Sequence, residues 1–187
     1  MPFHLCVHDN HSWMVGSCDR LFPESGCPAC SLCGFRTDRE FTAINFSLRQ
    51  KRYDISCCYD GAIIASRRFV EVCTSLGAPG LFFEPLPRAP GFFHLKHAIS
   101  VKLDYEAMGT ERKRMCSACG IYRDFTGHRR LVLKDASVIP ENGLAFSDEY
   151  FGSNNEASPL LLIGDLFYDA LKATKVNGIA SIEPLDK

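Results

Sequence analysis

The word Cys-Ser-x-Cys-Gly stands twice in this chain, as Cys30-Ser-Leu-Cys33-Gly34 and as Cys116-Ser-Ala-Cys119-Gly120, 86 residues apart. Two cysteines in a tight turn can point both sulfurs at one ion and occupy two corners of a tetrahedron. A second such turn completes it. The glycine after each word lets backbone amides approach the sulfurs and offset their charge. Any fold for this sequence that uses both words must bring two distant segments face to face. Loop-closure cost grows only logarithmically with length, so the separation is permissible, and the metal would act as a clasp. The ligand set this implies is Cys30, Cys33, Cys116 and Cys119, favoured because Gly34 mirrors Gly120. A second word, Cys27-Pro-Ala-Cys30, overlaps the first and leaves Cys27 open as an alternative to Cys33.

Between and after the two words the chain repeats a plan. Ala62-Ile63-Ile64-Ala65 and Leu161-Leu162-Ile163 read as short aliphatic strands. Ser66 and Asp165 follow as helix caps, their side-chain oxygens available to the free amides of a first turn. Then Phe69, Val72, Cys73 and Leu76, and in the second copy Phe167, Ala170, Leu171 and Thr174, recur at the spacing of one helix face. Each helix stops at a glycine-containing turn, with Gly80 and Gly178 both 11 residues past the aligned phenylalanine. A second strand then ends in Glu84-Pro85-Leu86 or Glu183-Pro184-Leu185. The expectation is a single compact α+β domain, with α/β as the variant. It would consist of two related strand-helix-strand halves, about 27–87 and 113–185, with mixed sheets clasped by the paired metal knuckles.

The remaining features carry less. The net charge is −1, with 46% hydrophobic and 23% charged residues, which is globular composition without the basic excess of a phosphate-binding protein. The start MPFHLCVHDNHSW lacks a basic flank and apolar run, and no apolar stretch reaches the length of a membrane span. A cytoplasmic location is expected, with no membrane partner. There, ten cysteines suit metal ligation or buried thiols better than disulfides. Cys57-Cys58 is placed in or beside a strand and Cys73 on a helix core face. His8 and His11, and His94 and His97, form His-x-x-His pairs with no helix indicated nearby, and surface positions are expected for them. Ser147 to Glu156 has turn composition and reads as an exposed loop. Within it Asp148, Glu149 and Tyr150 are candidate partner contacts. No phosphate-loop, nucleophile-elbow or zinc-protease word is present, which moves the reading from an enzyme toward a binding protein.

Two Cys-x-x-Cys-Gly words, one early and one past mid-chain, are followed by Leu162-Ile163 through Phe167, Leu171, Gly178 and Ile182. This layout resembles the double-CXXCG-motif family of bacterial immunity proteins from polymorphic toxin systems. The resemblance implies a cytosolic antitoxin that binds one cognate toxin and blocks it by occlusion, with a structural Zn²⁺. The alternative reading is a zinc-ribbon nucleic-acid-binding or regulatory adaptor, suggested by the basic stretches Arg36 to Arg39 and Arg112 to Arg114.

Overall fold

The computed structural model describes residues 2–17, 20–127, 130–134 and 139–185. The described elements run β1 Phe3–Val7, β2 Ile55–Cys57, β3 Ile63–Ser66, α1 Arg67–Ser75, β4 Leu81–Pro85, β5 Phe92–His97, β6 Ser100–Val101, β7 Glu111–Met115, β8 Tyr122–Thr126, β9 Leu144–Ser153, β10 Ser158–Ile163, α2 Asp165–Thr174 and β11 Ile179–Pro184. Two sheets result. One has the order β2-β3-β5-β4; the other has β11-β1-β10-β9-β8-β7, with β6 beside β9. All pairings between these strands are antiparallel except β6 with β9, so the architecture is α+β and not α/β.

Both strand-helix-strand units form, and each skips a place in its sheet. In the first, β5 lies between β3 and β4; in the second, β1 lies between β10 and β11. The middle strand thus comes from just after the unit in one case and from the start of the chain in the other. The antiparallel insert satisfies the backbone groups that a parallel neighbour would otherwise have taken.

The aligned phenylalanines meet. Phe69 and Phe167 are both fully buried, with ring centroids 6.2 Å apart in an edge-to-face arrangement. Around them one core combines Ile63, Ala65 and Val72 with Leu161, Ile163 and Leu171. The helix ends dock reciprocally. The Asn142 amide donates to the carbonyls of Leu76 and Gly77 behind α1, at 3.0 and 3.2 Å. Behind α2, the Asn177 carbonyl accepts from the Asp54 amide at 2.8 Å, and the Asn177 amide donates to the Asp54 carboxylate at 2.9 Å. Gly178, at φ +103°, sits so close that a Cβ would stand 2.0 Å from the Ile55 carbonyl oxygen. Glycine is required there by contact as well as by conformation.

Three sequence expectations change. Ser66 caps α1 by accepting from the Phe69 amide, but α2 is entered through Gly164, and Asp165 is its first helical residue. The stretch from Ser147 to Glu156 is not a loop: it is the second half of β9 and a 3-10 turn, with Asn154 and Asn155 buried. Two of its polar side chains are hydrogen-bonded to other parts of the chain. Ser147 accepts from the Leu160 amide, and Asn155 from the Arg36 amide. The histidines are not uniformly superficial either. His8 and His11 are exposed, but His94 on β5 is only 3% exposed, and His97 stacks on Phe146 with centroids 4.0 Å apart.

Burial, with Lys96 adding to it, depresses the His94 pKa from 6.5 to about 4. The unfolded chain takes up this proton near 6.5 and the folded chain only near 4, so stability rises with pH across that window. At about 1.4 kcal/mol per pKa unit, acidification from neutrality to pH 4 should remove about 3 kcal/mol through this residue. Denaturant midpoints of the parent and of His94→Gln, measured across the window, should show a shallower acid slope in the variant. Equal slopes would assign the acid sensitivity elsewhere.

Candidate metal centre

Each cysteine word is built as a knuckle with the same hydrogen bonds. In the first, the Cys30 amide donates to the Phe35 carbonyl at 2.8 Å and the Gly34 amide to the Cys30 carbonyl at 2.9 Å. In the second, the Cys116 amide donates to the Ile121 carbonyl at 3.0 Å and the Gly120 amide to the Cys116 carbonyl at 2.8 Å. Gly34 and Gly120 adopt φ of 68° and 70°, the left-handed conformation that closes the turn and that an L side chain resists. The flanking pairs match too: Ala29 bridges Arg36 as Met115 pairs with Tyr122. The second knuckle is the tip of the β7–β8 hairpin. The first is anchored by the second residue after its glycine.

That residue is Arg36, the largest fully buried side chain, at 1% exposure. Its guanidinium donates to the carbonyls of Asp60 and Ala157, and its backbone amide to the Asn155 side chain. Ala157 and Asn155 follow β9. The first knuckle is therefore tied to the strand that supports the second, and the charge is sited against backbone acceptors from both halves.

The knuckles converge. The sulfur atoms of Cys30, Cys33, Cys116 and Cys119 all lie within 4.8 Å of one another. Cys30 Sγ is 3.9 Å from Cys116 Sγ, and Cys33 Sγ is 3.8 Å from Cys119 Sγ. A disulfide would need about 2.05 Å. A tetrahedron of thiolates at the usual metal–sulfur length of about 2.3 Å has edges of about 3.8 Å. These two spacings match such an edge, all four sulfurs lie within 4.8 Å, and the residues present fit a thiophilic ion. Among the described residues this is the group of three or more potential ligands placed close enough to share an ion. Cys27 lies outside it, with its sulfur near the Asp38 carbonyl and its side chain packed on a separate core. The histidine pairs also stand apart from it.

The electrostatics favour a cation. The backbone amides of Cys119 and Ala118 point at the Cys116 sulfur and bring its pKa down to about 6. The amides of Cys33 and Leu32 lower Cys30 in the same way. The second cysteine of the first word behaves oppositely: desolvation pushes Cys33 up to about 12. The first sulfur of each word is made more acidic and the second is held less acidic. A divalent cation among the four resolves that conflict by stabilising every thiolate at once.

The candidate partner residues sit beside this cluster. Asp148 and Glu149 are exposed and Tyr150 is half-buried. The structure brings all three to one groove with Gly120 and Ile121, which directly follow the second knuckle. The basic stretches read as possible nucleic-acid contacts are largely engaged. Arg36 is buried; Arg39 is clamped over the Phe35 and Tyr150 rings at 4.1 and 4.8 Å. Arg114 pairs with Asp124, Lys113 with Glu111, and Arg112 lies over Tyr105 and Phe125. Sequence reasoning missed the buried role of Arg36, because a lone arginine beside a polar run has the signature of a solvated face. No protein-family model matches the chain, and no curated protein matches it in sequence.

Elemental analysis of the purified protein should find about one thiophilic metal ion per chain. Cys33→Ser and Cys116→Ser should each lose most of the metal and unfold at clearly lower denaturant, whereas Cys27→Ser should retain it. Metal retained by both knuckle variants would remove the cluster from consideration.

Proposed function

We propose that this protein is an immunity protein: it binds a cognate bacterial toxin and neutralises it by occlusion, with a structural zinc ion holding its binding surface rigid. The observation that carries this reading is the meeting of the two Cys-x-x-Cys-Gly words in one four-sulfur cluster. The family resemblance rests on that pair of words, and their meeting gives the pair a physical purpose. Zinc is the expected ion because four thiolates in a tetrahedron suit its coordination preference. Four protein ligands fill that coordination, so the ion serves structure and leaves no position for a substrate or an activated water.

Occlusion needs a surface that keeps its shape before the partner arrives, since ordering a loose surface subtracts from affinity. The clasp supplies this by fixing the β7–β8 hairpin and the segment after Cys33 against each other. Leu32, Met115 and Tyr122, which flank the ligands, are 66%, 59% and 37% exposed. Large apolar side chains displayed on a rigid knuckle suit a protein interface better than a phosphate backbone. The engaged state of the arginines near both knuckles also weighs against the nucleic-acid reading.

Co-expression with the toxin encoded beside its gene provides the test. The parent should restore growth and co-purify with the toxin, and Cys116→Ser should do neither. A labelled oligonucleotide should show no salt-sensitive retention. Failure to protect against the adjacent toxin, together with steeply salt-dependent oligonucleotide binding, would replace the immunity reading with the adaptor reading.

A further inference from the structure

One short connection reaches both knuckles. β9 ends at Ser153 and β10 begins at Ser158, and between them stand Asn154, Asn155, Glu156 and Ala157. Asn154 and Asn155 are polar, yet only 8% and 2% exposed. Asn154 adopts φ of 52°, in the left-handed region that asparagine enters more readily than most side chains. The connection is seated tightly on the first half of the chain: a Cβ on Gly61 would stand 2.4 Å from the Ala157 carbonyl oxygen. Burying two amide side chains costs free energy unless their polar atoms find partners. The two side-chain oxygens do find partners, and in opposite directions.

Asn155 Oδ1 accepts from the backbone amide of Arg36, on the chain leaving the first knuckle, at 3.2 Å. The Ala157 carbonyl accepts from the Arg36 guanidinium at 3.3 Å, so the same connection holds this residue twice. Asn154 Oδ1 serves the second knuckle. It accepts from Arg123 Nε at 2.9 Å and from Arg114 Nη2 at 3.3 Å. Arg114 lies on β7, just ahead of Cys116, and Arg123 on β8, just beyond Cys119. One oxygen therefore grips both strands of the hairpin that carries the second knuckle. Arg114 is itself held in place by the Asp124 carboxylate, at 2.6 Å from Nη2.

We infer that Asn154 and Asn155 are positioning residues of the metal centre: adjacent side chains reach opposite knuckles and tie the spacing of the two sulfur pairs to a single peptide unit. Consecutive Cα atoms across a trans peptide are fixed at about 3.8 Å, so the two anchor points cannot drift apart. The connection thus presents both knuckles near the spacing that one ion needs. Without it the ion would have to order the knuckles itself, and that cost would be subtracted from its binding. Partners beyond the ligands commonly act on a metal in this indirect way. The inference rests on the reading of the four-sulfur cluster as a metal centre, and it is independent of any protein partner.

The test titrates the cobalt(II)-loaded, reduced chain with a competing chelator and follows the visible bands. Asn154→Gly removes one oxygen while permitting the left-handed backbone, and Asn155→Ala removes the other. Each should weaken cobalt binding about tenfold. Asn154→Asp and Asn155→Asp keep an acceptor opposite the same donors and should bind like the parent. Asn142→Ala is the stability control, because it deletes bonds to the Leu76 and Gly77 carbonyls and touches neither knuckle. It should lower the denaturant midpoint and leave cobalt affinity unchanged. Parent-like affinity in both deletions overturns the inference, as does an equal loss in Asn142→Ala. Where a deletion does not fold, the aspartate variant at that position decides: parent-like binding supports the inference, and a loss of about tenfold overturns it. A parent that binds no cobalt would instead remove the cluster itself, so the two failures are told apart.

Discussion

Four sulfur atoms from two segments that are remote in sequence share a space about as wide as one metal ion with its ligands. Without a cation, that arrangement crowds groups of conflicting protonation preference. With one, it becomes a cross-link that restricts the unfolded chain and fixes two hairpin-like turns in a single orientation. The amides of Leu32, Cys33, Ala118 and Cys119 are aimed at the first sulfur of each word before any ion is considered. The backbone of each knuckle is thus shaped to carry negative charge. Arg36 extends the same constraint inward, joining the first knuckle to the backbone around β9 through Asp60, Ala157 and Asn155.

Behind the clasp, the two halves hold each other by reciprocal contacts. Phe69 meets Phe167. The turn behind α1 is bonded by Asn142 ahead of β9, and the turn behind α2 is bonded by Asp54 ahead of β2. β2 and β9 occupy corresponding places in the two sheets, so both docking contacts use corresponding parts. The sharing of one core by both helices places much of the buried apolar surface between the halves, where neither half could bury it alone. The knuckle side thus rests on a base whose parts are interdependent.

The local and periodic features were legible in the sequence. The two cysteine words, the apolar faces of α1 and α2, the Ser66 cap and the Glu-Pro-Leu strand ends are each set by residues a few positions apart. Long-range pairing was not legible. Phe3–Val7 carries little to indicate that it enters between β10 and β11, because only the empty place in a distant sheet selects it. The segment from Ser147 to Glu156 has loop composition, yet it is held as a strand and a turn by partners on both sides, and tertiary pairing overrides composition there. Arg36 reads by type as part of a basic stretch and His94 as a surface histidine, but both are buried, Arg36 with its Nη2 on the carbonyls of Asp60 and Ala157 and His94 against the Thr42 hydroxyl. His94 Nδ1, for instance, lies 2.7 Å from the Thr42 hydroxyl. Cys27 could not be separated from Cys33 by spacing alone, since only the turn geometry around Gly34 distinguishes them.

The central claim is that cysteines from both halves bind one ion in a tetrahedron of sulfur. Replacing the native metal with cobalt(II) and recording its optical spectrum tests this directly, because the intensity and position of the visible bands report coordination geometry, and the near-ultraviolet charge-transfer bands count thiolates. The account predicts a strong four-thiolate tetrahedral spectrum from the intact chain, weakened in a graded way when a cysteine of either word is replaced. A weak six-coordinate spectrum, or a strong one unaffected by changes in one of the two words, would contradict it.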